Sequence, residues 1–185
     1  MATDWTVRAI TRAMLPVLLV LTAVELGSGL VLGAFEDRLL ASPSLLVLVP
    51  VTIGTAGNLG SVLAARLSTA FHLGTLSFDA RDDELVGNAL ATVALAVTLF
   101  PVIGLGAWTL ASLLGATTLS AGTVLLVAVS SGVALAVLAV AVTLVATYAA
   151  YRLSLDPDDV VIPVVTNVCD VLGVLVLFAA VLVFA

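Results

Sequence analysis

Five apolar runs, each long enough to cross a bilayer, take up nearly all of this 185-residue chain. They cover about residues 13–35, 43–70, 84–113, 120–151 and 157–185, and a hydrocarbon core of about 30 Å needs roughly 20 apolar residues per helix. With 62% hydrophobic and 10% charged residues, polar side chains are too few to cover a water-soluble globule. The sequence predicts an all-α polytopic membrane protein with five transmembrane helices. It is read as one integral membrane domain over residues 1–185, embedded in a lipid bilayer and without a cytoplasmic regulatory domain.

The first run, behind Arg8 and Arg12, is too long for the apolar core of a signal peptide and lacks a clean small-residue cleavage site, so it is read as a retained helix. Arg8 and Arg12 precede span 1, Arg66 and Arg81 border the loop between spans 2 and 3, and Arg152 lies between spans 4 and 5. Arg38 alone falls on the opposite side. The positive-inside rule then places the protein in the cytoplasmic membrane with its N-terminus inside and its C-terminus outside.

Every basic side chain is an arginine, the loops are acidic, and the formal net charge is −6. Such a surface disfavours nucleic acid and anionic lipid. It suits a salt-loving source, because salt screens repulsion among exposed acids. A single cysteine, Cys169, excludes an internal disulfide, and a single histidine, His72, excludes a histidine-based metal cluster. An enzyme is not expected: an intramembrane aspartyl protease needs two facing aspartates, only one Asp, Asp170, lies deep within a span, and the HExxH zinc motif is absent.

Helix starts are punctuated by Ser42 with Pro43 and by Asp156 with Pro157, each pairing an N-cap oxygen with proline at the first helical position. Asp158 and Asp159 fall in the next turn, where the helix dipole favours negative charge. Pro101, Gly104 and Gly106 are expected to kink or end the regular part of span 3. Gly29 and Gly33, and the small residues Gly54, Gly57, Gly60, Ser61 and Ala64, give spans 1 and 2 thin faces suited to close packing.

The chemistry centres on Asp170, in the middle of the last run. Holding a carboxylate there costs about 2.5–3.5 kcal/mol even on lenient insertion scales, so such a group normally faces a partner, a cavity or an ion path. Asp159, Pro163, Thr166 and Asp170 follow a 4, 3, 4 spacing on one helical face, with Asn167 beside them. Pro163 lacks an N–H and frees a carbonyl one turn earlier. Asn58, Ser61, Ala65 and Ser68 form a second small and polar stripe on span 2. Opposed, the two stripes bound a wet path. Hydrated magnesium fits these parts, because it sheds water reluctantly and is held by one or two carboxylates around retained waters. Five spans with one central acid make a half-sized transporter, so a dimer with paired Asp170 carboxylates is expected. Glu25 in span 1 is open to a role with a proton, with sodium or in an interhelical contact. Asp159 is either a first-turn acid or a cation-drawing group at the mouth. His72 and Arg66 are assigned to the membrane edge, and Cys169 to packing.

Two segments carry a family resemblance. PVTIGTAGNLGSVLAARLSTAFHLGTLS, from Pro50 to Ser77, and LDPDDVVIPVVTNVCDVLGVLVLFA, from Leu155 to Ala179, resemble the second and last transmembrane helices of MgtE-family magnesium channels and their animal solute-carrier relatives. The resemblance implies magnesium as the bound and transported ion. It also implies that Asp170 is the pore aspartate, that Thr166 assists through its backbone carbonyl, and that Asn58 is the pore-facing asparagine. Bacterial relatives carry large cytoplasmic magnesium-sensing domains, and animal relatives carry two copies of this unit. A single copy is therefore expected to pair with itself, as a homodimer, or with a sibling half-transporter, as a heterodimer. The rival reading is an accessory or scaffold subunit that moves no ion.

Overall fold

The computed structural model describes residues 6–77, 79 and 82–185; Arg81, counted above on the positive side, lies outside them. Among the described residues, five helices are long and apolar enough to cross a membrane, with a short one between the first two. They are α1 (Val7–Ala34), α2 (Glu36–Ala41), α3 (Pro43–His72), α4 (Asp83–Leu113), α5 (Ala121–Leu153) and α6 (Pro157–Phe184). The 30 residues of α3 extend about 45 Å at ~1.5 Å per residue, enough to cross the hydrocarbon core. α1 begins before the apolar run does, because the Thr6 hydroxyl accepts a hydrogen bond from the Ala9 N–H at 3.2 Å and starts the helix in polar sequence.

Side-chain caps form at three later starts, of which Asp156 alone was expected, and the expected cap at Ser42 does not form. Ser120 caps α5 by accepting from Thr123 N at 3.1 Å, and Asp156 caps α6 by accepting from Asp158 N at 3.1 Å. Asp82 caps α4 by accepting from Glu84 N at 2.9 Å and Leu85 N at 3.2 Å. Ser42 makes no side-chain cap, contrary to expectation; its oxygen instead accepts from the Thr118 hydroxyl at 3.2 Å, tying the start of α3 to the α4–α5 connection.

α3, α5 and α6 pack against one another, α4 lies against α3 and α5, and among the described residues α1 touches only α6 and α2. As a result, only 6% of the apolar span of α1 is buried, against 44% for α3 and α5. The small-residue faces divide accordingly. Side chains added at Gly29, Gly33 or Gly54 would meet open space, whereas Gly57 and Gly60 lie against α6.

α4 continues as one α-helix through Pro101, Gly104 and Gly106, so its regular part does not end there. Proline removes a single backbone hydrogen bond, and side-chain packing holds the segment in place. A Cβ at Gly104 would come within 2.9 Å of the Ala128 Cβ, and the buried Phe100 ring occupies the space a side chain at Gly132 would need. These two glycines let α4 and α5 approach closely.

Aromatic and polar contacts tie the two ends of the bundle. At one end Phe35 stacks on Phe178 with centroids 4.0 Å apart, and Trp108 Nε1–H donates to the Leu119 carbonyl at 3.2 Å. At the other, Phe71 meets Tyr151 edge to face at 5.9 Å.

Asp82 also accepts from the Ser77 hydroxyl at 2.7 Å and the Ser77 N–H at 2.8 Å. The Ser77 hydroxyl, with the backbone N–H groups of Ser77, Leu85 and Glu84, lowers its carboxyl from the ordinary 3.8 to about 2. A lowered folded-state value makes the ionised cap stabilising above the ordinary carboxylate range, and that contribution is lost as pH falls through about 2. Asp82→Ala should therefore lower the unfolding temperature of the detergent-purified chain at pH 7. The gap to wild type should narrow steadily as melts are repeated towards pH 2.

Candidate functional site

Two close glycine contacts bring α3 and α6 together. A Cβ at Gly57 would lie 3.2 Å from Asp170 Oδ1 and 3.6 Å from Thr166 Cγ2; one at Gly60 would lie 2.5 Å from Val165 Cγ1. At this thin contact the Ser61 and Thr166 hydroxyls share a hydrogen bond of 2.8 Å between α3 and α6. Each also lies 2.9 Å from a carbonyl of its own helix, Ser61 from that of Gly57 and Thr166 from that of Ile162, so the two hydroxyl hydrogens are shared among these three contacts.

Asp170 is half-buried, and among the described residues no hydrogen bond or cation meets its carboxylate. The nearby hydroxyls are spent on each other and on helix carbonyls. A structural acid would be expected to hold a donor, since a buried polar group without one is costly. Glu25, half-buried on α1, is close enough to act on Asp170 electrostatically, so α1 brings a second acid towards the same place. Asp170 is 13 residues beyond Pro157, about 20 Å along a helix of roughly 1.5 Å per residue, and thus near the middle of α6.

The rest of the α6 stripe leads away from this point. Asn167 lies beside Thr166 and donates its amide N–H to the Pro163 carbonyl at 2.9 Å, taking up an oxygen next to the proline interruption. Asp159 is exposed at the start of the helix. Cys169, next to Asp170 in sequence, is buried in an apolar cluster with Ala64, Ala139 and Val165, a packing position.

The stripe expected on α3 divides into two. Ser61 and Ser68 turn towards α6, where Ser68 is buried and donates to Asp158 Oδ1 at 2.6 Å. Asn58 and Ala65 are exposed, because each successive residue turns about 100° around the helix axis and Gly57 holds the face towards Asp170. Within one chain, then, Asp170, Thr166 and Ser61 come together while Asn58 stands on the uncovered side. Arg66 donates from Nε to Asn88 Oδ1, linking α3 to α4.

Two features escaped the sequence reading. The Ser61–Thr166 link was signalled only by Ser61 standing four residues after Gly57 on the same face. The approach of Glu25 to Asp170 depends on α1 packing on α6, which has no local signature.

The family model MgtE, described as a divalent cation transporter, matches residues 49–180, over two thirds of the chain and including all of the α6 stripe.

The two glycine contacts differ in tightness, and their variants should differ likewise. Gly60→Ala forces a methyl onto Val165, and overpacking of this kind typically costs about 1–3 kcal/mol. Gly57→Ala needs a shift of only a few tenths of an ångström. Thermal unfolding in detergent should rank Gly60→Ala clearly below Gly57→Ala.

Proposed function

The chain belongs to the MgtE family of divalent cation transporters, and from that premise we propose that it passes hydrated magnesium across the cytoplasmic membrane through a path between two copies. Asp170 is the ion-holding carboxylate. The observation that carries this reading is its half-buried, donor-free carboxylate near mid-helix, fronted by a glycine rather than a side chain. Magnesium retains water at about 2.0–2.1 Å and is bound through one or two carboxylates, so a carboxylate left without a protein donor suits a hydrated ion better than a stripped one. The protein acts as a transporter, not as an enzyme.

In this proposal two Asp170 carboxylates meet across a two-fold axis and together balance a doubly charged ion. The Thr166 backbone carbonyl receives hydrogen bonds from the ion's water shell, and the Ser61–Thr166 bond holds that turn of α6 in position. Asn58 reaches the shared path from the uncovered side of α3, a location consistent with its exposure in the single chain. Asn167 and Ser61 line the path. Glu25 adds negative potential near the ion, and Asp159 draws cations to the cytoplasmic mouth. The exposed span of α1 and the open faces of Gly29 and Gly33 offer surface for a second copy or for a sibling chain.

The test is growth of a magnesium-uptake-deficient strain at limiting magnesium. Asp170→Ala should abolish rescue while membrane expression stays normal, and Asn58→Ala should weaken rescue to a lesser degree. Full rescue by Asp170→Ala would overturn the assignment.

A further inference from the structure

The end of α3 and the start of α6 assemble a second group of donor atoms, far from Asp170. His72 is the last residue of α3, Asp156 caps α6 and Asp158 is the second residue of α6. One donor atom from each lies within 4.8 Å of the others, and all three residues are exposed. Asp158 and Asp170 are 12 residues apart, about 18 Å along the helix at ~1.5 Å per residue.

The hydrogen bonds around His72 identify its free nitrogen. Ser68 has one hydroxyl hydrogen, and it goes to Asp158 Oδ1 at 2.6 Å. Towards His72 Nδ1, Ser68 therefore offers only acceptors: its carbonyl at 2.9 Å and its Oγ at 3.4 Å. Nδ1 must carry the hydrogen, and in the neutral ring Nε2 carries the lone pair. Nε2 stands 3.7 Å from Asp156 Oδ1, too far for a hydrogen bond. An Nδ1–H fixed on a backbone carbonyl, with Nε2 free, is the outer-shell arrangement that commonly orients a metal-binding histidine.

We propose that His72, Asp156 and Asp158 form a divalent-metal site that takes borderline transition ions such as cobalt or zinc in preference to magnesium. One imidazole and two carboxylates suit those ions, whereas magnesium favours all-oxygen surroundings. Donor atoms around a tetrahedral ion with bonds of ~2.0–2.2 Å are roughly 3.4 Å apart, so the donor atoms, all within 4.8 Å of one another, close by at most about 1.4 Å on binding. Rotation of exposed side chains supplies that movement, and water completes the shell. An ion held there would clip the end of α3 to the start of α6. The assignment stands independently of the transport role of Asp170.

The experiment uses the full chain in detergent, purified without a polyhistidine tag and carrying Asp170→Asn to remove the mid-helix carboxylate. Cobalt chloride is titrated in and followed through the visible absorption of the bound ion. One cobalt per chain should bind, with a spectrum that His72→Ala abolishes. Asp156→Ser, which keeps a capping oxygen but removes a carboxylate, should weaken binding at least tenfold, and magnesium should compete only at far higher concentration. Cobalt binding that survives His72→Ala unchanged, or no binding to the Asp170→Asn chain, would overturn the site. An ion pair between protonated His72 and Asp156 alone would give this second result. Magnesium flux through a His72→Ala chain reports on Asp170 separately, so failure of one assignment does not imply failure of the other.

Discussion

A carboxylate in the middle of a bilayer helix must be compensated, and the placement of Asp170 governs how the rest of this structure is understood. Three nearby side chains that might have neutralised it do not. Ser61 and Thr166 share their hydroxyl hydrogens between each other and helix carbonyls, while Glu25 is a second acid. Two acids near one another in a span are tolerable where water or a cation reaches them, and costly where lipid alone does. The chain belongs to a family that transports divalent cations, which is the ground for proposing a cation at this place.

Small residues make that arrangement possible. Without a hydrophobic force to join helices inside lipid, close packing and interhelical hydrogen bonds must hold them. Gly57 and Gly60 let α3 reach α6, Gly104 and Gly132 let α4 reach α5, and the Ser61–Thr166 bond lies in the first of these contacts. The same logic explains the unusual position of α1. Its glycines face open space and its one long partner is α6, so the helix that carries Glu25 is also the one least held by its own chain.

The spans were legible because apolar runs report directly on the bilayer, and proline with aspartate marked the start of α6 to the residue. The exact start of α1 was not, since Thr6 caps a helix that begins outside the apolar run. Ser42 looked like a cap by residue type, but Thr118, distant in sequence, engages its oxygen. Pro101 suggested an interruption, yet local propensity was outweighed by packing of Phe100 over Gly132. The α6 stripe was readable from spacing alone because one helix carries it all. The α3 stripe was not, because its residues straddle the contact with α6: Ser61 and Ser68 face inward and Asn58 outward. The grouping of His72 with Asp156 and Asp158 depends on which helix ends meet, and no single segment encodes that.

The central claim is that position 170 borders water rather than lipid or sealed packing. It is tested most directly by thiol labelling of an Asp170→Cys, Cys169→Ala chain in sealed membranes with a charged, membrane-impermeant reagent. Labelling at 170, slower than at an Asp159→Cys control but complete with time, is the result predicted for a residue on an aqueous route. An unreactive thiol at 170, in a folded chain whose position 159 labels fully, would contradict the account.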